Sequence, residues 1–599
     1  MKRNIHAPKI AVSLVAALTL TASVGCTNSD YDLSDIDTTI GIGGDSLSIP
    51  TSSTEDIVLD DVLELNNSDL ITTEANGDYV FVKNGDAASP ARPHIGRLTV
   101  AKQQLSNQKV VVDLSAVRSA AARGKSGSSV RRTQIAPVTI SGVMTTFKYQ
   151  TNDVDNAIKG LSSVGLSAPM DIRVDFSQAL RQAVPTIKTM KITFPSYMFI
   201  TAGGSEATNT ITFSNVNTAR GLIFGATLHR MDFGKATTGT DRLTFTPGEG
   251  SSKGSVRMEG SVKMEVTFDE VNATTAAAAD CYIDAKTSLD DIDVNSATGK
   301  FDPEIKLSDL GKVTINNVPD FLTDDEANIN LHNPQINLSV ANDMDVEGKV
   351  SGVLKSYDEK GALMASVNVP EMTLRANATT DIVICKTADG LDATGRDLVV
   401  VPSLSDIIAK IPHRIEFEAN ARANSSRECT VQLGHDYAIT PAYSVKAPLA
   451  FDEGAQIVYR DTLDGWHDDI EDLSLTEGAY LQVKANVDNR IPANLSVSAY
   501  AIGTDGKALG DDKIQIEVKG SVKGAADSQQ AVTSPLQVRL YEKAKGAIKS
   551  LDGIVFKVEA GAGEGSSAIV GKTINAKTQT LTIRDIRIQL FGKVIGDFN

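Results

Sequence analysis

Residues 255–268, SVRMEGSVKMEVTF, alternate without a break. Val256, Met258, Gly260, Val262, Met264, Val266 and Phe268 fall on one side, and Arg257, Glu259, Ser261, Lys263, Glu265 and Thr267 on the other. A period of two belongs to a β-strand, and one wet face points to an antiparallel sheet. Unbroken, the run would span ~45 Å, beyond the usual strand length. Shorter alternations recur at 172–176, 336–340, 415–423 and 581–590. In the last, the phase slips between Ile583 and Ile586, which predicts a bulge. Long amphipathic helices are absent. Two short helices are predicted, at 177–184 and 403–411, each opening near a serine and stopping at a proline, Pro185 or Pro412. The expected fold is mainly β: tandem β-sandwich modules, immunoglobulin-like or related, with a few short helices.

Residues 336–352 and 483–499 resemble one another at a shift of 147 residues. Val340 meets Val487, Asn342 meets Asn489, Met344 meets Ile491, and Val350-Ser351-Gly352 meets Val497-Ser498-Ala499. Each copy then reaches a polar turn containing glycine, at 358–361 and 504–507, of the kind that joins hairpin strands. This reads as a duplicated module. A chain of 599 residues exceeds what one core supports. The expected division is a signal peptide at 1–25, a tether at 26–50, a small N-terminal region with a basic linker at 51–133, and β domains at 134–300, 301–440 and 441–599.

At the N-terminus, Lys2, Arg3 and Lys9 precede an apolar run over residues 10–25, the layout of a secretory signal peptide. The run ends in Ser23-Val24-Gly25-Cys26, which resembles a lipobox, so Cys26 is the expected lipidation site. Ser23 stands where an aliphatic residue is usual, so ordinary cleavage stays open as the alternative. A lipoprotein cysteine carries two or three acyl chains, enough for stable anchoring. The expected attachment to a membrane is therefore through the N-terminal lipid.

The formal net charge of −17 argues against nucleic acid and anionic lipid surfaces as partners. The one basic stretch, residues 118–132 (RSAAARGKSGSSVRR), reads as a solvated linker, or alternatively as a processing site for an Arg-specific protease. Beyond Cys26, only Cys281, Cys385 and Cys429 remain, and Cys385–Cys429 is the disulfide considered. The six histidines after the leader lack metal-ligand spacing, and neither HExxH nor GxSxG occurs. Asp464-Gly465-Trp466-His467-Asp468-Asp469 is the richest polar cluster; it reads as an acidic loop with a packed tryptophan, against a metal or acid/base site. Asp291-Ile292-Asp293-Val294-Asn295 mimics the start of a calcium loop but lacks its glycine and final glutamate. No catalytic residue, metal site or cofactor is expected, and no enzyme. One tryptophan and 5% aromatics disfavour a dedicated polysaccharide platform.

The stretch Tyr31 to Gly41 (YDLSDIDTTIG) with Leu47-Ser48-Ile49-Pro50 resembles the mature start of uncharacterised Bacteroidales outer-membrane lipoproteins. So do Val318-Pro319-Asp320-Phe321-Leu322, Asn333-Pro334-Gln335-Ile336 and the closing residues 588–599. The resemblance implies an outer-membrane, lipid-anchored protein at the cell surface, with Asp30 and Asp32 as a short surface-export signal. It also implies O-glycosylation acceptors at Asp-Thr pairs, here Thr38 and Thr462. Three functional readings follow. One is a non-catalytic envelope protein that binds an unknown protein, glycan or lipid, or builds the surface. The second is a lipid carrier with an apolar groove. The third is a fimbrial subunit cut near Arg131-Arg132.

Overall fold

A computed structural model describes residues 39–50, 53–59, 70–86, 88–115, 132–204, 208–235, 240–272, 280–307, 312–316, 318, 322, 324–562 and 568–597. The signal peptide, Cys26, Thr38 and most of the basic stretch lie outside them. The described chain is mainly β, arranged as sandwich modules.

The alternating run forms most of the strand Gly254–Asn272. Val256, Met258, Val262, Met264, Val266 and Phe268 are buried in the core. On the wet face the Arg257 guanidinium donates to Glu259 at 2.7 Å. Gly260 keeps the buried phase without a side chain because a Cβ there would lie 2.7 Å from Pro195 Cγ. This strand pairs along nearly its whole length with Arg132–Val154, and both belong to a 13-stranded sheet. Leu98–Asn107 carries that sheet from one half to the other. Its first residues pair with Ile292–Phe301 and its later ones with Arg132–Val154. The predicted first helix is present as Gln178–Ala183; Ser177 Oγ accepts from Leu180 N at 3.2 Å, and the chain turns out before Pro185. The second is only a 3-10 turn, Leu404–Ile408, and Ser403 makes no side-chain cap bond.

The duplication is visible in topology. In the middle module the sheet order is Asp397–Val400, Ala378–Cys385, Gln335–Asn342, Ile439–Pro448, Tyr79–Asn84. In the C-terminal module it is Ile514–Lys519, Val532–Glu542, Tyr480–Asn489, Thr580–Asp597, Thr39–Pro50. The facing sheets also correspond, with Lys312–Thr314, Arg414–Ala423 and Gly348–Tyr357 matching Gln456–Leu463, Gly553–Gly561 and Asn494–Ile502. The modules differ at their edges: Asp397–Val400 follows Ala378–Cys385 in the chain and runs parallel to it, Ile514–Lys519 precedes Val532–Glu542 and runs antiparallel, and the facing sheet of the middle module has a fourth strand, Leu363–Leu374.

The aligned asparagines explain the repeat. Asn342 is 2% exposed and donates through Nδ2 to Val346 O (3.1 Å) and Arg375 O (2.9 Å), while Oδ1 accepts from Met344 N. Asn489 is fully buried and donates to Ala493 O (3.0 Å) and Lys523 O (3.1 Å), accepting from Ile491 N. Each amide locks the break between the first two strands by satisfying backbone groups that would otherwise be buried unpaired.

The N-terminal region differs from expectation. Residues 39–50, expected as part of a tether, form a strand along Thr580–Asp597. The strands that follow are shared out between the modules. Tyr79–Asn84 pairs with Ile439–Pro448, and Leu98–Asn107 pairs with Ile292–Phe301. An unpaired strand edge leaves a row of backbone donors and acceptors to be satisfied, and the N-terminal segment satisfies one row after another. The predicted bulge is present: the register shifts between Lys484 and Asn486, opposite Asp585 at φ 54°.

Two outcomes follow. Asn342→Ala or Asn489→Ala should each cost about 2–3 kcal/mol in urea unfolding, because buried carbonyls lose their donors. A loss below about 0.5 kcal/mol would show that the amide does not hold the turn. A chain cut within residues 116–131 should migrate as one species under native conditions and as two fragments in denaturant. Native release of the N-terminal fragment would contradict the strand pairing described above.

Candidate functional site

The C-terminal sandwich opposes a seven-stranded sheet to a three-stranded one. Alternation sends Leu481, Val483, Ala485 and Val487 inward from Tyr480–Asn489, and Leu536, Val538 and Leu540 from Val532–Glu542. From the facing sheet come Phe556, Val558 and Ala560, with Leu495 and Val497 beside them. Side chains between two sheets are normally buried. Here Leu481, Val483, Ala485, Leu536, Val538, Leu495, Val497, Phe556, Val558 and Ala560 are all only partly buried. They surround an apolar cavity of about 390 Å³.

The two ends of the cavity are packed. At one end Trp466, Ile470, Leu473, Ile548 and Leu551 form a small core. At the other, Phe451, Ile457 and Ile574 belong to the main core of the molecule. The middle module shows what a filled interior looks like. There Ile336, Leu338 and Val340 are 6%, 4% and 1% exposed. The aligned residues in the C-terminal copy are Val483, Ala485 and Val487. Leucine becomes alanine and isoleucine becomes valine on the floor of the hollow.

The flanks differ. On one, Leu495 and Val522 exchange backbone hydrogen bonds of 2.8 and 2.9 Å and close the gap between the sheets. On the other, Gln456–Leu463 is the edge strand of the smaller sheet. Facing it, Ile57 pairs with Leu581, and Ile57 and Leu59 supply the wall. The edge strand contributes Tyr459 and Asp461, and Asp461 is the one charged residue among the described residues of the lining. Its Oδ1 accepts from Thr462 N at 2.9 Å.

Several residues singled out from sequence fall near this hollow. Thr462 is exposed on the outer face of the edge strand. The Asp464–Asp469 cluster is a turn leading into the short helix His467–Ile470, with Trp466 only 4% exposed in the small core that also holds Leu540 and Ile554 of the cavity wall. The structure therefore gives the packed tryptophan of the loop reading. The calcium-like stretch is committed elsewhere: Asp291 Oδ1 accepts from Lys102 N (2.7 Å) and Asp293 Oδ1 from Thr99 Oγ1 (2.6 Å).

The disulfide considered from sequence is not formed. Cys385 and Cys429 are free thiols. Cys385 ends a strand of the middle module, while Cys429 lies on a strand paired with Ile292–Phe301, so the two belong to different sheets. Burial, with Asp345 and Glu428 close by, pushes the Cys429 thiol up to about 11, and burial also raises Cys385.

A second depression, of about 460 Å³, lies on the middle module against Asn337, Ser339, Asp381 and Arg396. It is more open, and within it Ser339 donates to Asp381 at 2.6 Å. The cavity of the C-terminal sandwich is the better-formed site. Sequence reasoning missed it, although Ala485 set against Leu338 was in view once the repeat was aligned.

No protein-family description matches the sequence, and no curated protein matches it. Among solved structures, a protein described as secreted from Parabacteroides distasonis is similar at a TM-score of 0.33 and 13% identity, covering 72% of this chain and 98% of that one. An exo-beta-agarase gives 0.14 and 10%, covering 27% and 20%. At scores this low neither likeness carries an argument about ligand or activity.

The thiol assignment is directly checkable. Unfolded without reductant and treated with a maleimide, the chain should be labelled at Cys281, Cys385 and Cys429. Folded at pH 7.5, it should react slowly, since Cys281 is buried and burial holds the Cys385 and Cys429 thiols above their ordinary range. Label confined to Cys281 after unfolding would mean that the other two are joined.

Proposed function

We propose that this chain is a non-catalytic protein of the cell envelope or extracellular space that holds an apolar ligand in its C-terminal sandwich. The observation that carries this reading is the set of inward-facing apolar residues left partly buried around a cavity of about 390 Å³. Ligand sites are typically concave, mostly apolar and ~300–1,000 Å³ in volume. An acyl chain suits such a site, because each buried methylene contributes about 0.8 kcal/mol and ten contribute about 8, against the cost of ordering the chain. Export by the signal-peptide-like leader and attachment through lipid on Cys26 would hold this carrier at the outer membrane.

The fimbrial reading also has an observation behind it. The strands from Thr39–Pro50 to Lys109–Val111 precede the basic stretch and are held by antiparallel pairing, so a cut there would leave them attached only non-covalently. It requires those strands to leave, and the apolar cavity plays no part in it.

The carrier reading is tested by filling the hollow. Ala485→Leu restores the residue that the middle module carries at the aligned position. Binding of an environment-sensitive naphthylamine probe should weaken at least tenfold. Stability should rise by about 0.5–2 kcal/mol, or about 2–4 °C in Tm for each kcal/mol. A folded Ala485→Leu protein that binds the probe as tightly as the parent would overturn the assignment.

A further inference from the structure

Resting on the apolar-ligand reading, we infer that the ligand is an uncharged, hydroxyl-bearing amphiphile of the long-chain alcohol or monoacylglycerol kind, with its hydroxyl at Asp461. The inference comes from the polarity of the lining. Among the described residues that line it there is no lysine, arginine or histidine, and the polar side chains are Tyr459 and Asp461, two positions apart on the edge strand Gln456–Leu463.

The neighbouring cations are turned away and occupied. Arg460 and Lys557 stand opposite each other in the register, on the phase that alternates with the lining residues. Arg460 pairs with Asp324 and Glu326, and Lys557 with Glu326 and, at 2.7 Å, with Glu559. A fatty-acid carboxylate in this cavity would meet no cation and would face a second carboxylate. A buried, unpaired anion is strongly disfavoured, and like charges add to the cost.

A hydroxyl has the opposite relation to the site. Asp461 Oδ1 already accepts from Thr462 N, and Oδ2 has no partner among the described residues. A carboxylate oxygen accepts readily from an O–H donor, and charge-assisted bonds of this kind are short and strong. The rest of the molecule then lies along Phe556, Val558, Val483 and Ala485, where only apolar surface is offered. Asp461 sits directly opposite Phe556 in the strand register, so the polar anchor and the start of the apolar wall are adjacent.

The test is competition for the naphthylamine probe on the full chain at pH 7.5, each competitor kept below its aggregation concentration. The competitors are monopalmitoylglycerol, palmitate and hexadecylamine. Monopalmitoylglycerol should displace the probe at concentrations at least tenfold below palmitate, and Asp461→Asn should close most of that gap. Palmitate competing as well as the monoglyceride on the parent protein would overturn the inference. So would an unchanged ratio in a folded Asp461→Asn protein, or hexadecylamine competing tenfold better than the monoglyceride. If the probe binds but none of the three displaces it, both this inference and the acyl-chain reading of the cavity are overturned. If the probe itself fails to bind, the cavity assignment falls first.

Discussion

Backbone hydrogen bonding at sheet edges organises this molecule. A sandwich built from consecutive strands ends with an edge, and each such edge is a row of unsatisfied donors and acceptors. Here the first strands of the chain run back along the last strand of each module: Thr39–Pro50 on Thr580–Asp597, Tyr79–Asn84 on Ile439–Pro448, Leu98–Asn107 on Ile292–Phe301. One N-terminal segment thereby ties together modules that lie hundreds of residues apart in sequence. These pairings are of long range, which makes for slow folding but for mutual support once formed. They also place Ile57 and Leu59 at the wall of the C-terminal hollow.

The two related modules show how a hollow arises in a sandwich whose central strands keep one arrangement. The same order of central strands, and the same buried asparagine bonded to equivalent carbonyls, set the sheets in place. The middle copy fills the space between them with Ile336 and Leu338; the C-terminal copy has Val483 and Ala485. Truncation of core side chains normally lowers stability, because the surroundings collapse only in part. A ligand that occupies the hollow restores the lost contacts and stabilises the folded state by mass action. The C-terminal module thus gives up packing that the middle module retains, with the Asp461 carboxylate at the edge of the hollow.

Much of the fold could be read from the residues. The unbroken alternation at 255–268 specified a long, half-buried strand; the phase slip near Ile583 located a bulge; the aligned asparagines disclosed a duplication. The sandwich class followed from these. What could not be read was pairing between distant segments. Residues 39–50 carry a polar, glycine-containing sequence that reads as a tether, and only the edge of Thr580–Asp597 makes them a strand. The helix expected at 403–411 is present only as the 3-10 turn Leu404–Ile408, and Ser403 forms no side-chain cap bond. The cavity was hidden for a different reason. Alternation tells which side chains face inward, but not whether the inward volume is filled. Ala485 and Val483 look like ordinary core residues until the opposing sheet is in place. The cysteines show the same limit, since compartment argued for a bond that Cys385 and Cys429, on separate sheets, do not form.

The central claim is that one module of this chain is hollow in order to be occupied, while its sister is not. The most direct measurement is solvent extraction and mass spectrometry of the purified full chain, after equilibration with a monoacylglycerol mixture and removal of the excess. Expected is about one bound molecule per chain, lost on Ala485→Leu and retained when Leu338 in the middle module is changed to isoleucine. A protein that emerges lipid-free, or one that retains the same amount of lipid with residue 485 filled, would contradict it.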